Sequence, residues 1–205
     1  FGEFSVTQGQ KDFVFVTLGT GVGGGIVING NLYTGLNGVA AEIGHITTHA
    51  GGRECSCGRK GCWETYSSAT ALVRMTREKI AECNEKGIHT LMSDMAAERG
   101  KVSGRTSFDA MRAGDAAAKE VVDSYIKHLA CGLINVINVF QPDILCIGGG
   151  VCNEGEYLLN PLKELIAREI YSKNSAKNTK ITICELGNTA GIIGAAMLGS
   201  RRRRV

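Results

Sequence analysis

The sequence predicts an α/β layered domain, and three observations support this prediction. Strand-like runs separated by glycine-rich or Asn-Gly turns occupy 13–34. A helical region with a broad apolar stripe extends to about residue 140. The rest of the chain alternates strand, helix, strand and helix. A β-meander followed by helices and then by alternating elements is typical of α/β layers.

The opening elements form a predicted three-stranded antiparallel meander. Phe13–Leu18 is a β-branched and aromatic run of strand length. After the glycines come strand-like runs at 25–28 and 31–34, joined by Asn29-Gly30. Asn-Gly between two such runs is a strong hairpin pattern. The first turn of the meander is therefore the glycine-rich one.

Helical patterns dominate the middle of the chain. Asp115 is a good N-cap for a long helix that ends near Phe140, with Pro142 just beyond. The other predicted elements are a helix over 68–83 that stops before Gly87, two short helices within 88–114, a buried strand over 143–147, a helix over 157–170, a strand over 180–184 and a helix over 190–198.

The composition is that of an ordinary globular protein, with 43% hydrophobic and 21% charged residues. The sequence contains neither an apolar run of about 18 residues nor a signal peptide pattern, so no membrane partner is expected. Eight cysteines without a secretion signal favour metal binding in a reducing cytoplasm. The net charge of +3 owes much to Arg201–Arg204, a run interpreted as a solvated tail, and no nucleic-acid partner is expected.

Four potential metal ligands cluster in the sequence: His45, Cys55, Cys57 and Cys62. Three thiolates and one imidazole suit tetrahedral zinc, and four protein ligands leave no open position, so the predicted zinc is structural. The alternative is a set of separate buried cysteines with an ordinary histidine. The other five cysteines are predicted to pack in the core. His49, His89 and His128 have no clustered partners and are interpreted as ordinary histidines.

Two glycine-rich segments are candidates for phosphate or nucleotide contact. The first runs over 17–25, lacks the lysine of a Walker A loop, and is not followed by the helix that a dinucleotide fingerprint requires. Its bare N–H groups and two hydroxyls could form a nest for phosphate oxygens. The second, 148–150, follows a buried strand, where glycines allow a flat ligand to approach the backbone. The alternative for both segments is a tight turn without a ligand.

Three motifs occur in order: Leu-Gly-Thr-Gly-Val-Gly-Gly-Gly, Glu-x-Gly-His and Cys-x-Cys-Gly-x-x-Gly-Cys-x-Glu. Together they resemble the ROK family of sugar kinases and sugar-responsive repressors, over nearly the whole chain. The resemblance implies an actin-like (ribonuclease-H-like) ATPase fold of two lobes, with ATP and sugar in the cleft. Residues 1–205 would be the larger, C-terminal lobe, with a zinc and sugar-recognition loop over 42–64.

The resemblance also implies roles for individual residues. The family's zinc ligands match His45, Cys55, Cys57 and Cys62. Its sugar-contacting positions match Glu42, His45 and Glu64. Its phosphate-contacting hairpin matches Thr17, Gly19, Thr20 and Gly21, and its adenosine-side element matches Gly148, Gly149, Gly150 and Val151.

The reaction that the resemblance implies is transfer of the γ-phosphoryl group of Mg²⁺-ATP to a hexose, with glucose and its 6-hydroxyl favoured. The family's catalytic base, an aspartate in an Asn-Asp pair, is expected upstream of Phe1, so no catalytic residue is assigned here and the chain alone is expected to be a poor kinase. A homodimer is expected. The alternatives are a kinase for fructose, mannose, allose or an N-acetylhexosamine, a ROK repressor, and a zinc-stapled structural protein.

Overall fold

The fold was analysed in a computed structural model that describes residues 9–184. The predicted helix over 190–198 and Arg201–Arg204 lie outside the described residues. In chain order the elements are β1 (Phe13–Leu18), β2 (Val22–Ile28), β3 (Asn31–Leu32), α1 (Glu64–Ser67), α2 (Ala69–Glu85), α3 (Leu91–Glu98), α4 (Thr106–Arg112), α5 (Ala116–Phe140), β4 (Ile144–Gly148), α6 (Glu156–Glu169) and β5 (Lys180–Ile183). Short 3₁₀ turns occupy Ile43–His45 and Gly150–Glu154.

The strands form one mixed sheet in the order β3-β2-β1-β4-β5. The antiparallel β1–β2–β3 part is the predicted meander. Strand β3 is shorter than the predicted run over 31–34, and the side chains of Leu32 and Tyr33 are about half exposed. Because little apolar surface is buried there, the third strand ends after two residues.

The Asn-Gly turn between β2 and β3 has the predicted hairpin geometry. Asn29 and Gly30 have φ values of 52° and 75°, and a tight type I′ turn requires positive φ at both central residues. The Asn29 N–H also donates to Asp12 Oδ1 at 2.7 Å, which ties the turn to the start of β1.

Helix α5 is the central helix of the domain, as its stripe predicts. Its buried residues include Tyr125, Leu129 and Leu133, none of which is exposed to solvent. Asp115 caps its first turn by accepting from the Ala118 N–H at 2.8 Å. The helix ends at Phe140, and its capping residue Gln141 adopts a left-handed conformation with φ of 41° before Pro142.

The other predicted elements are confirmed within a few residues, including the two short helices α3 and α4. Gly87, just after α2, has a φ of 65°, the left-handed conformation that favours glycine after a helix. The short helix α1 and the two 3₁₀ turns were not predicted, because segments of three to five residues are too short for a periodic pattern. Among residues 9–184, no helix is both long and apolar enough to cross a bilayer.

The parallel pairing of β1 with β4 fixes where the two glycine-rich segments lie. In this register Thr17 is opposite Gly148, so both strands end at the same edge of the sheet. The 17–25 loop and the 148–150 segment therefore leave the sheet side by side. Ligands of open α/β sheets bind at the carboxyl ends of parallel strands, and this edge is of that kind.

Candidate functional site

The four predicted metal ligands converge on one point. One donor atom from each of His45, Cys55, Cys57 and Cys62 lies within 4.8 Å of the others. His45 Nδ1 is 3.6 Å from Cys55 Sγ, and Cys57 Sγ is 3.6 Å from Cys62 Sγ. A tetrahedral zinc ion with bonds of about 2.3 Å separates its ligands by about 3.8 Å. The donor types and their spacing therefore fit a closed, four-coordinate zinc site.

Tight turns in the loop allow the three sulfurs to meet. Gly58 and Gly61 have φ values of 85° and 80°, in the left-handed region. A methyl group at Gly61 would also overlap the His49 carbonyl, so the chain passes too closely there for any side chain. The Cys55 N–H donates to the Arg59 carbonyl at 2.9 Å and closes the turn that carries Cys57.

The pKa values of two thiols in the cluster are shifted in opposite directions. A hydrogen bond from the Arg59 backbone is the main cause that lowers the pKa of exposed Cys57 to about 7. Burial raises the pKa of Cys62 to about 12. A bound divalent cation would stabilise the thiolate form of both groups, because zinc coordinates the deprotonated sulfur.

The three predicted sugar-contacting residues surround this cluster. His45 uses Nδ1 to face the sulfurs, and its Nε2 lies 4.0 Å from Glu42 Oε2. Glu64 Oε1 lies 3.1 Å from Cys55 Sγ and 3.8 Å from His45 Nδ1. The Glu42 side chain is mostly exposed, whereas that of Glu64 is mostly buried. Metal coordination by Nδ1 would fix the tautomer of His45 and leave Nε2–H as a donor.

The glycine-rich loop lies directly beside Glu64. A methyl carbon at Gly21 would be 2.5 Å from Glu64 Oε2, so only glycine fits without moving the carboxylate. The Gly19 carbonyl accepts from the N–H of Ala69, the first residue of α2, at 2.9 Å. The loop therefore contacts both the N-terminus of α2 and Glu64 beside the metal cluster. Thr17 and Thr20 are exposed on the same loop.

The second glycine segment packs against the end of β1. Gly149 has a φ of 103°, and a methyl group there would overlap the Leu18 carbonyl. Gly150 has open space around its Cα, and Val151 is buried. The structure thus brings the two predicted nucleotide-contacting segments together at one sheet edge, with the predicted sugar residues next to the first.

The profile of the ROK family matches residues 2–202 of the chain. The chain belongs to the ROK family. Among curated relatives, a glucokinase of Halalkalibacterium halodurans is 42% identical over 193 residues, which are 93% of this chain and 57% of the relative. A glucokinase of Thermotoga maritima is 36% identical over 97% of this chain and 61% of its own. A xylose repressor of Bacillus subtilis is 26% identical over 97% of this chain and 47% of its own.

Solved ROK structures share the fold. A ROK glucokinase from Streptomyces griseus, crystallised with glucose and AMPPNP, matches with a TM-score of 0.83 and 34% identity, over 94% of this chain and 62% of its own. A ROK family transcriptional regulator matches with a TM-score of 0.76 and 28% identity, over 95% of this chain and 47% of its own. The actin-like fold expected from the motifs is confirmed. The chain spans about three fifths of the length of the ROK glucokinases that it matches.

An aromatic stack behind the zinc loop was missed by the sequence analysis. The prediction that His49 and His128 lack clustered partners is wrong. The His49 ring stacks on Tyr66 with centroids 3.9 Å apart and meets the His128 ring at 4.8 Å. The Tyr66 hydroxyl also accepts from the Arg53 N–H at 2.7 Å. His49, Tyr66 and His128 are far apart along the chain, so no local sequence pattern predicts that their rings meet. The stack is visible only in the folded structure.

Proposed function

We propose that this chain is the nucleotide- and zinc-binding lobe of an ATP-dependent hexose kinase, with glucose as the favoured substrate. The contact between Gly21 and Glu64 is the observation that carries the proposal. This contact places the glycine-rich loop, whose backbone N–H groups suit phosphate, beside the Glu64 carboxylate, which suits sugar hydroxyls. Phosphoryl transfer requires these two functions to be adjacent, because the enzyme acts mainly by positioning the two reactants.

The sugar would be held by side chains fixed around the metal cluster. Zinc, when bound to His45 and the three cysteines, supplies a rigid anchor and no open coordination position. Glu42 and Glu64 would accept hydrogen bonds from sugar hydroxyls, and His45 Nε2–H would donate one. Glu64 is mostly buried and held between the cluster and Gly21, so its orientation is set before the sugar arrives.

The nucleotide would lie along the shared edge of β1 and β4. The backbone N–H groups and hydroxyls of Thr17, Gly19, Thr20 and Gly21 are proposed to face the phosphates of Mg²⁺-ATP. The adenosine would lie near Gly148, Gly149, Gly150 and Val151, where missing side chains allow close approach. The related S. griseus structure contains glucose and AMPPNP together, which supports this pairing of ligands.

A sugar-responsive repressor is the second candidate, because xylose repressors and a ROK regulator also match the chain. The kinase is favoured by higher identity to glucokinases, 42% and 36% against 26%. A sugar sensor also has no need of a phosphate nest beside its sugar site.

The decisive experiment is a substrate panel. ATP-dependent phosphorylation of glucose, fructose, mannose, allose and N-acetylhexosamines would be measured on the longest natural protein that contains this chain, in parallel with calorimetric binding of glucose and AMPPNP. We expect glucose to give the highest kcat/KM. Sugar binding without AMPPNP binding or turnover would contradict the kinase proposal and favour the repressor.

A nucleotide-site control uses neighbouring glycines. Gly149→Ala introduces a methyl group against the Leu18 carbonyl at an unfavourable φ, whereas Gly150→Ala adds one in open space. We expect the first substitution to abolish AMPPNP binding and the second to weaken it less. Equal AMPPNP affinities in the two variants would contradict the proposed position of the nucleotide.

A further inference from the structure

Two cysteines outside the metal cluster meet across neighbouring strands. Cys146 lies in the middle of β4, and Cys184 follows the last residue of β5. Their sulfurs are 2.8 Å apart. This distance is shorter than the separation of the thiols in the metal cluster and longer than a disulfide bond of about 2.05 Å. The mixed sheet thus brings the two thiols into contact.

The glycine at the end of β4 lies beside this contact. The Cys184 N–H donates to the Ile147 carbonyl at 2.8 Å, which places Cys184 beside Gly148. A methyl carbon at Gly148 would lie 3.3 Å from Cys184 Sγ. Because Gly148 has no side chain, there is room beside it for the Cys184 sulfur to point toward Cys146. The same glycine belongs to the proposed nucleotide site.

We propose that Cys146 and Cys184 form a reversible dithiol–disulfide site that reacts with small-molecule disulfides. Burial determines the order of events, because Cys146 is completely buried whereas Cys184 is partly exposed. The Cys184 thiolate attacks one sulfur of the reagent, whose S–S bond breaks and releases a first thiol. The Cys146 sulfur then attacks Cys184 Sγ, loses its proton and displaces the second thiol. Two protein thiols are oxidised, and one small disulfide is reduced to two thiols.

The direction in which the pKa of Cys184 is shifted agrees with this order of reaction. The hydrogen bond from Cys146 is the main cause that lowers the pKa of Cys184 below its ordinary value, and it outweighs the opposing effect of burial. A larger thiolate fraction at the partly exposed sulfur makes it the better first nucleophile of the two.

Closing the bond is expected to move the end of β5. Positions two residues apart on adjacent strands have Cα atoms separated by about 8 Å, from a strand spacing of about 4.8 Å and a rise of about 3.3 Å per residue. A disulfide spans about 4.4 to 6.8 Å between Cα atoms. The Cys184 N–H is bonded to the Ile147 carbonyl next to Gly148, so closing the disulfide would strain or break this hydrogen bond and displace the backbone beside Gly148. This coupling to nucleotide binding rests on the proposed function.

The test is disulfide mapping on the zinc-loaded protein. After incubation with glutathione disulfide, free thiols are alkylated and the digest is analysed by mass spectrometry. We expect a Cys146–Cys184 cross-linked peptide in the unmodified sequence, glutathione retained on Cys184 in Cys146→Ser, and alkylated Cys146 in Cys184→Ser. Glutathione that stays on Cys184 in the unmodified sequence, or a Cys184 that does not react, would overturn the proposal.

The proposed effect of the disulfide on nucleotide binding is tested separately, by measuring AMPPNP affinity. We expect oxidation to weaken AMPPNP binding in the unmodified sequence and to have no effect in Cys184→Ser. An unchanged AMPPNP affinity after cross-linking would refute the coupling. Absence of AMPPNP binding to the reduced protein would instead contradict the proposed function, and the disulfide mapping would stand independently of it.

Discussion

Gly21 and Glu64 lie side by side, with the Glu64 carboxylate occupying the space where a side chain at Gly21 would begin. The two residues belong to different predicted sites, the phosphate loop and the zinc-anchored sugar loop. Their proximity places the two predicted sites side by side. We therefore expect the glycine at position 21 to matter for the predicted sugar site as well as for the predicted phosphate nest.

Replacing Gly21 by alanine is expected to lower sugar affinity with little loss of stability. The new methyl carbon would lie 2.5 Å from Glu64 Oε2, and a flexible carboxylate end can rotate away. Rotation would misplace the acceptor, and losing one hydrogen bond to a charged group costs about 1.5–3 kcal/mol, or roughly 10- to 150-fold in Kd. Glucose titration without nucleotide measures this loss.

Gly19→Ala is the matched control for this substitution. It adds the same methyl group to the same loop, but a methyl carbon there has no neighbour within 4 Å. We expect glucose affinity close to that of the unmodified sequence. Equal losses in the two alanine variants would show that the loop backbone, and not Glu64, determines sugar affinity.

Cys62→Ser is expected to remove the metal and, with it, the sugar site. Cys62 is completely buried and its Sγ lies 3.6 Å from Cys57 Sγ, so a hydroxyl there is a poor replacement for a thiolate ligand. We expect the zinc content by elemental analysis to fall from one ion per chain to nearly none, and glucose binding to be lost.

Cys83→Ser provides the comparison for metal loss. Cys83 is also buried, but it lies in α2, far along the chain from the four ligands. We expect this variant to keep its zinc even if it is less stable. Full zinc occupancy in purified Cys62→Ser would contradict the assignment of the ligand set.

The local sequence was sufficient to predict most elements and the cluster of three cysteines and one histidine, but not how distant segments meet. Asp115, Pro142 and the Asn29-Gly30 turn act within a few residues, so their effects are visible in the sequence. The contact of Gly21 with Glu64 and the stack of Tyr66 with His128 depend on tertiary packing. No periodic pattern or motif spacing reports such contacts, because they are fixed by the register and orientation of whole elements.

Gly132 is a further case in which a glycine is required by a distant partner. It lies inside α5, where glycine lowers helix stability by about 1 kcal/mol relative to alanine. A methyl group at Gly132 would overlap the ring of Trp63, which is completely buried and donates its Nε1–H to the His128 carbonyl at 3.1 Å. Trp63, which follows the last predicted zinc ligand, thus packs against the central helix at this glycine.

Gly132→Ala is therefore expected to destabilise the protein despite its better helix propensity. Overpacking costs about 1–3 kcal/mol and the gain in propensity is about 1 kcal/mol, so a net loss of up to about 2 kcal/mol is expected in urea unfolding. Trp63 is the only tryptophan in the sequence, and its emission should shift as the ring is displaced. Gly104→Ala, in a loop with open space, should change neither quantity. A more stable Gly132→Ala variant would contradict the packing described here.

Asp115 links two helices, because its carboxylate accepts hydrogen bonds from both. Oδ1 accepts from the Ala118 N–H of α5, and Oδ2 accepts from the Leu91 N–H and the Thr90 hydroxyl at the start of α3, both at 2.6 Å. Burial alone would raise the pKa of Asp115, but these hydrogen bonds outweigh it and hold the pKa below its ordinary value. The native state therefore favours the ionised form.

Asp115→Asn is expected to lower the free energy of unfolding at neutral pH by about 1–2 kcal/mol, because an amide replaces a charged acceptor at a cap. Since the pKa of Asp115 is lower in the folded state, its stabilisation is present above the unfolded value of about 3.9 and is lost as the pH falls through the folded value. The difference between the two proteins, measured by urea unfolding, should therefore shrink on acidification. Asp123→Asn, which removes an exposed ion pair with Lys119 on the same helix, should lower the free energy of unfolding at neutral pH by less than about 1 kcal/mol. A gap between Asp115→Asn and the unmodified sequence that stays constant from neutral to acid pH would show that the cap acts through packing and not through its charge.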